Sequence, residues 1–214
     1  MPPSLAEQYK QVLARHLPAG AVERVYEHLD QNAVHLHITR ERTSKLGDYR
    51  WPQRNHPHHE ISINGDLNPY MFLSVLLHEM AHLDIWLQCG TKVSPHGHEW
   101  QMQYATLLLQ YHDCFPKESW PTLYRYIRQI PLNRQAGKEF EQVLRRHDPD
   151  YNPADDLHLD DLPAGSLFVI ARQPQYTFRS LEKRRTRWIC ERLDDHKKYL
   201  VAGSAKVKLK DTPH

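Results

Sequence analysis

The stretch from Tyr70 to Cys89 is apolar almost all round, yet it carries His78, Glu79 and His82 near its middle. Asn68 and Pro69 before it have the form of a helix N-cap and first-turn pair, and Gly90 after it supplies a stop. A helix that is apolar on every side has to be the buried centre of a domain. Histidines and a carboxylate in such a place need partners, because unpaired polar groups are costly in a dry interior. The order His78-Glu79-Met80-Ala81-His82 sets the two imidazoles one turn apart on one face, so both can reach one metal ion. Glu79 is rotated off that face but stays near enough to touch water at the metal, the position of a general base. Chance alone gives about 0.07 matches to this pattern in a chain with so many histidines, so its surroundings have to support the reading. They do, since Val75, Leu76 and Leu77 lead straight into the motif.

The elements around this helix follow from periodicity. Ser4 and Glu7 form a capping box ahead of a first helix that runs to about Leu17, and Val22, Val25, Tyr26 and Leu29 mark a second. Val34, Leu36 and Ile38 alternate with polar residues, as in a half-buried strand. A second strand is expected around Gly47–Trp51 and a third around His59–Asn64, with Ile61 and Ile63 on one face. His35 and His37 point outward, and His56, His58 and His59 read as a solvent-facing loop group. A further helix begins near Gly97 and runs to about Tyr111, and residues 134–147 read as another. Trp86, Trp100, Met80 and Met102 are expected in the core. Cys114 to Pro131, rich in Pro and aromatics, is left without an assigned element.

A catalytic zinc site wants a third protein ligand and one open position. Ile85 and Gln88 stand where the longer metzincin pattern would have Gly and His, so the third donor has to lie further on. His96, His98 and Glu99 in Pro95-His96-Gly97-His98-Glu99-Trp100 are the nearest, and spacing alone does not choose among them.

His78-Glu79-x-x-His82 followed by His96-Gly97-x-Glu99-Trp100 resembles the SprT-like metallopeptidase family, the SprT and Spartan-like proteins. The Arg40–Gly47 segment, Ile61-Ser62-Ile63-Asn64 and the Leu76-Leu77 approach resemble it too. The likeness is clear over residues 34–110 and looser over 1–133. It implies an α+β, compact zincin-like domain, a small mainly antiparallel sheet beside active-site helices. It further implies one Zn²⁺ on His78, His82 and His96, with Glu79 as the base that takes a proton from water at the metal during peptide-bond hydrolysis. His98 and Tyr104 are candidate oxyanion donors by proximity. An extended substrate would add to a sheet edge, with the first or the third strand serving. The family's association with DNA suggests DNA-associated proteins among the substrates.

Many such proteins carry a C-terminal zinc ribbon with paired cysteines, but only Cys190 stands in that region here, so a metal-free β segment is expected. The domain plan is therefore a metallopeptidase domain over 1–147, a solvated acidic linker over 148–164 and a basic β-rich segment over 165–214. The linker reading rests on six Asp and no basic residue between Asp148 and Asp161. From Arg172 to Lys210 there are 12 Lys plus Arg against 4 Asp plus Glu. Lys183, Arg184, Arg185 and Arg187, with Trp188, Tyr176 and Phe178 nearby, could track phosphates and stack bases; the rival picture is a solvated strand face with its aromatics packed inside.

The net charge of +2 predicts no strong global field toward nucleic acid or membrane. Three cysteines cannot form a disulfide framework, and no stretch reads as a signal peptide or membrane span, so an intracellular, cytoplasmic protein is expected. The expected activity is that of a zinc-dependent endopeptidase. The alternative is a catalytically weak zinc-binding adaptor that holds peptide or nucleic acid through its basic C-terminal segment.

Overall fold

The computed structural model describes residues 3–40, 42, 45–129, 134–153, 157–171 and 173–210. The chain is α+β and divides into two compact units, Met1–Pro149 and Asp150–His214.

In the first unit α1 (Leu5–Leu13) and α2 (Ala19–Gln31) lead into β1 (Val34–Thr39), β2 (Gly47–Arg50) and β3 (His59–Asn64). The capping box forms as its residues dictate: the Glu7 N–H donates to Ser4 Oγ at 3.2 Å and the Ser4 N–H to Glu7 Oε2 at 2.6 Å. The three strands form one sheet in the order β1-β3-β2. Ile61 and Ile63 are both fully buried, as their alternation requires.

Two expectations are corrected here. The sheet is mixed, because β3 pairs antiparallel with β2 but parallel with β1, from Val34 opposite His59 to Thr39 opposite Asn64. The third strand is therefore not an edge; β3 has its backbone groups taken on both sides, and the edges are β1 and β2. His59 also leaves the solvent-facing loop group: it opens β3, is buried, and its Nδ1 lies 2.8 Å from the Tyr49 hydroxyl.

The central helix, α3 (Pro69–Cys89), starts where Asn68 Oδ1 accepts from the N–H groups of Tyr70 and Met71, both at 3.0 Å. The amide of the same Asn68 donates to Leu144 O and Asp148 Oδ1, which ties the start of α3 to the end of α6 (Arg134–Arg145). Leu73, Leu76, Leu77, Met80 and Leu83 of α3 are fully buried in a core shared with α1, α2, β3 and α4 (His98–Gln110). Met102, expected inside, is 55% exposed on the outer face of α4. The unassigned aromatic stretch contains α5 (Trp120–Gln129), which Leu123 anchors to the core. Asp84 accepts from Gln103 Nε2 at 2.6 Å and lies 2.8 Å from His28 Nε2, linking α2, α3 and α4 through one buried carboxylate.

The second unit is an antiparallel sheet of β4 (Leu167–Ile170), β5 (Gln173–Arg184), β6 (Arg187–Arg192), β7 (Lys198–Ala202) and β8 (Val207–Leu209), in the order β7-β6-β5-β4-β8. Part of the acidic stretch read as solvated linker is built into this unit. Leu159 and Leu162 join Phe168, Phe178, Trp188 and Cys190 in its core, because the acidic side chains between them point outward while the leucines turn in. Asp160 Oδ1 accepts from the Trp188 indole at 2.7 Å and pairs with Lys183 Nζ at 3.0 Å. Gly203 makes this approach feasible, since a Cβ there would collide with the Asp160 carboxylate. Of the aromatics proposed as a stacking platform, Phe178 and Trp188 are buried and Tyr176 is half-buried under the Arg192 guanidinium. Arg184, Arg185 and Arg187 are exposed around the β5–β6 turn.

Candidate metal centre

The helical repeat delivers His78 and His82 to one side of α3, and the loop before α4 brings His96 to them. His96 Nε2 lies 3.1 Å from Nε2 of His78 and 3.1 Å from Nε2 of His82, and the three ligand atoms all fall within 4.8 Å of one another. His98 and Glu99, equally eligible by spacing, are not part of this cluster among the described residues. The loop achieves the convergence through an unfavourable backbone state, with His96 at φ 57°, a left-handed conformation unusual for a residue with a side chain. Two hydrogen bonds hold it there: Gly97 N–H to Ser94 O at 2.9 Å and Gln101 Nε2 to His96 O at 2.9 Å.

Aromatic rings fix the imidazoles. The Trp100 ring lies 4.5, 5.2 and 4.6 Å from those of His78, His82 and His96, so one buried indole packs against all three. On the other side Tyr49 of β2 lies parallel to His82, with ring centres 6.4 Å apart, and is anchored through its hydroxyl to His59. Tyr49 was not singled out by sequence reasoning; it stands on a strand whose neighbours are settled only by sheet order.

Burial, reinforced by His82 and His96, pushes the His78 imidazole down to about 3. His82 falls to about 4, through burial and then His96, and burial lowers His96 as well. All three are therefore neutral near pH 7 and present lone pairs. The Nε2 of His96 faces two other Nε2 atoms and can complete a hydrogen bond with only one of them. A tetrahedral ion with bonds of about 2.0–2.1 Å would hold its nitrogens about 3.3 Å apart, close to the separations found. The donor set fits a zinc-type cation.

Glu79 is only 6% exposed. Its carboxyl is pushed up to about 7 by burial and by the nearby Asp48, against the pull of Lys45, Arg42 and the Tyr49 backbone N–H. Gly47 leaves the room for it: a Cβ there would stand 2.6 Å from Glu79 Oε1 and 2.7 Å from Val75 Cγ1. A cleft of about 430 Å³ opens over the centre, walled by β2 from Gly47 to Tyr49, by Trp51 and Trp86, and by the loop that carries His96. Of the oxyanion candidates, neither His98 nor Tyr104 lines this cleft. Tyr104 is buried behind His78, its hydroxyl 3.4 Å from Ser74 Oγ.

Three imidazoles gathered from a buried helix and the loop after it, with a carboxylate beside them on that helix, form a cluster that could hold a metal ion. Residues 14–115 match the SprT-like family model, and that stretch contains every residue of this centre. No curated protein and no solved structure matches the chain.

Proposed function

We propose that the protein is a zinc-dependent endopeptidase. The observation that carries this reading is the convergence of His78, His82 and His96 beside a buried Glu79 that no ion pair within reach neutralises among the described residues. The chemistry that zinc supplies in such a place is Lewis acidity, toward a peptide carbonyl and toward water.

The chain's own groups account for the rest. Edge strand β2 borders the cleft and has no strand on its outer side among the described residues, so an extended substrate can pair with its outward backbone groups other than the Tyr49 N–H, which Glu79 accepts, without demanding a particular sequence. Trp51 and Trp86 supply apolar wall on either side of that path. Glu79 Oε takes the proton from attacking water and delivers it to the departing amine. Trp100 and Tyr49 hold the imidazoles still while this happens, so little reorganisation is needed.

The test is cleavage of casein by the zinc-loaded chain, paired with metal analysis of Glu79→Gln. We expect one bound zinc in both proteins and loss of cleavage only in the variant. Zinc retained with no cleavage by the unaltered chain would overturn the peptidase reading and favour an adaptor. We further propose that DNA-associated proteins are among the substrates, with Arg184, Arg185 and Arg187 as a sequence-independent phosphate tether. Exposed guanidinium groups around a hairpin turn support it. Binding to duplex DNA that does not weaken as salt is raised would exclude it.

A further inference from the structure

A second cavity, of about 320 Å³, adjoins the cleft at Glu79. The two share Gly47, His78 and Glu79 in their walls, so they meet at the proposed reacting centre. The absence of a side chain at Gly47 keeps the rim between them low. Beyond that rim the walls are Leu46, Met71 and Val75, then Tyr126 of α5 with Phe140 and Glu141 of α6. The last three lie outside the residues matched by the family model, so this pocket is completed by the chain's own additional helices.

The apolar and aromatic walls are interrupted by Ser74, His78 and two carboxylates, Glu79 and Glu141, and no Lys or Arg lines the cavity. Glu141 has no salt bridge to any described residue. The residue as a whole is exposed at the mouth, yet enough protein crowds its carboxyl to raise it above the ordinary value, against the pull of Arg145 and Lys138. Glu141 lines the cavity together with Tyr126 and Tyr104. A volume of this size, with apolar wall, two carboxylates and no Lys or Arg in its lining, suits a long aliphatic side chain with a cationic tip. The rings of Tyr126 and Phe140, stacked with centres 6.1 Å apart, add faces on which such a cation is favourable.

We propose that this cavity is a specificity subsite for the side chain of a lysine or arginine flanking the scissile bond, with Glu141 as its counter-charge. The inference rests on the peptidase reading, whose centre the cavity adjoins.

The experiment uses the zinc-loaded full chain and one set of peptides that differ only in carrying Lys, Leu or Glu beside a single cleavable bond. Rates are measured with the unaltered chain. Affinities come from fluorescence anisotropy on Glu79→Gln protein, so that binding is read without turnover. A kcat/KM for Lys about tenfold above Leu, with Glu lowest, is expected, and the same order in affinity. Glu141→Gln should bring the Lys-to-Leu ratio close to one in both readouts, and Glu141→Lys should favour the Glu peptide; circular dichroism checks that each variant is folded. Cleavage with no preference for Lys, or a preference that survives Glu141→Gln, overturns the subsite. Tighter binding of the Lys peptide that depends on Glu141, without any cleavage, supports the subsite and defeats the peptidase reading instead. Absence of both binding and cleavage overturns the two together.

Discussion

The two units use buried polar groups differently. Among the described residues, seven of the eight buried polar or charged ones, including Glu79, Asp84 and His59, lie in the first unit, and only Ser180 lies in the second. The second unit keeps its carboxylates at the surface, where Asp160 holds Trp188 and Lys183 and Asp195 holds Arg192. A carboxylate in a dry core costs free energy unless something in the fold compensates for it. Asp84 is compensated by Gln103 and His28, whereas Glu79 has only a strand N–H and distant cations. The first unit thus holds an unrelieved group beside its histidine cluster, and no described carboxylate of the second unit is buried.

Substitutions can break or sharpen this contrast, and the largest effect should come from Glu79→Gln. We expect cleavage to fall by about 10²–10⁴-fold, the usual contribution of a general base, with zinc content unchanged. His82→Ala should reduce bound zinc from about one equivalent to near zero by metal analysis, since two imidazoles do not close a structural or catalytic site. Gly47→Ala pushes a methyl group into Glu79 and should slow cleavage by about 10²-fold while zinc is retained, a loss of positioning without loss of metal.

Substitutions in the core and the buried indole network of the second unit should act on stability only. Phe168→Ala removes a fully buried ring and should cost about 3–5 kcal/mol in denaturant unfolding of that unit, with zinc content untouched. The smallest effect is expected at Asp160. The Trp188 indole and then Lys183 hold this carboxyl below its ordinary value of 3.8, against the opposing effect of burial. A lowered carboxylate contributes stability that is present above the unfolded value and is lost as pH falls through the folded one. The second unit should therefore weaken below about pH 3.8 in the unaltered chain and lose this acid-dependent component in Asp160→Asn, as followed by Trp fluorescence. A change in zinc binding caused by either second-unit substitution would contradict the division of labour.

The parts of the fold legible in the sequence are those with local causes. α3 has a cap, a proline, an unbroken apolar run and a glycine stop, and the structure forms it from Pro69 to Cys89. β1 and β3 announce themselves by alternation, and α1 by its capping box. α5 is not legible, because Trp120, Pro121 and the tyrosines that follow look like a loop until Leu123 finds its place in the core. The centre divides in the same way. His78, Glu79 and His82 lie within one turn of helix, so their geometry follows from helical pitch. His96, His98 and Glu99 are indistinguishable by spacing, and His96 enters the cluster because the loop puts that residue in a left-handed conformation.

By itself the sequence determined the helices with strong local signals, the pair of histidines and their neighbouring glutamate, and a basic, cysteine-poor C-terminal part. Tertiary structure alone decided the parallel pairing of β1 with β3, the placing of β2 at the edge, the burial of His59 under Tyr49 and the approach of Glu141 to the far wall of a cavity beside Glu79. Pitch and alternation act over a few residues and leave a pattern in the chain. Strand order and the meeting of distant helices depend on which surfaces exclude water from one another, and that is settled only when the whole unit packs.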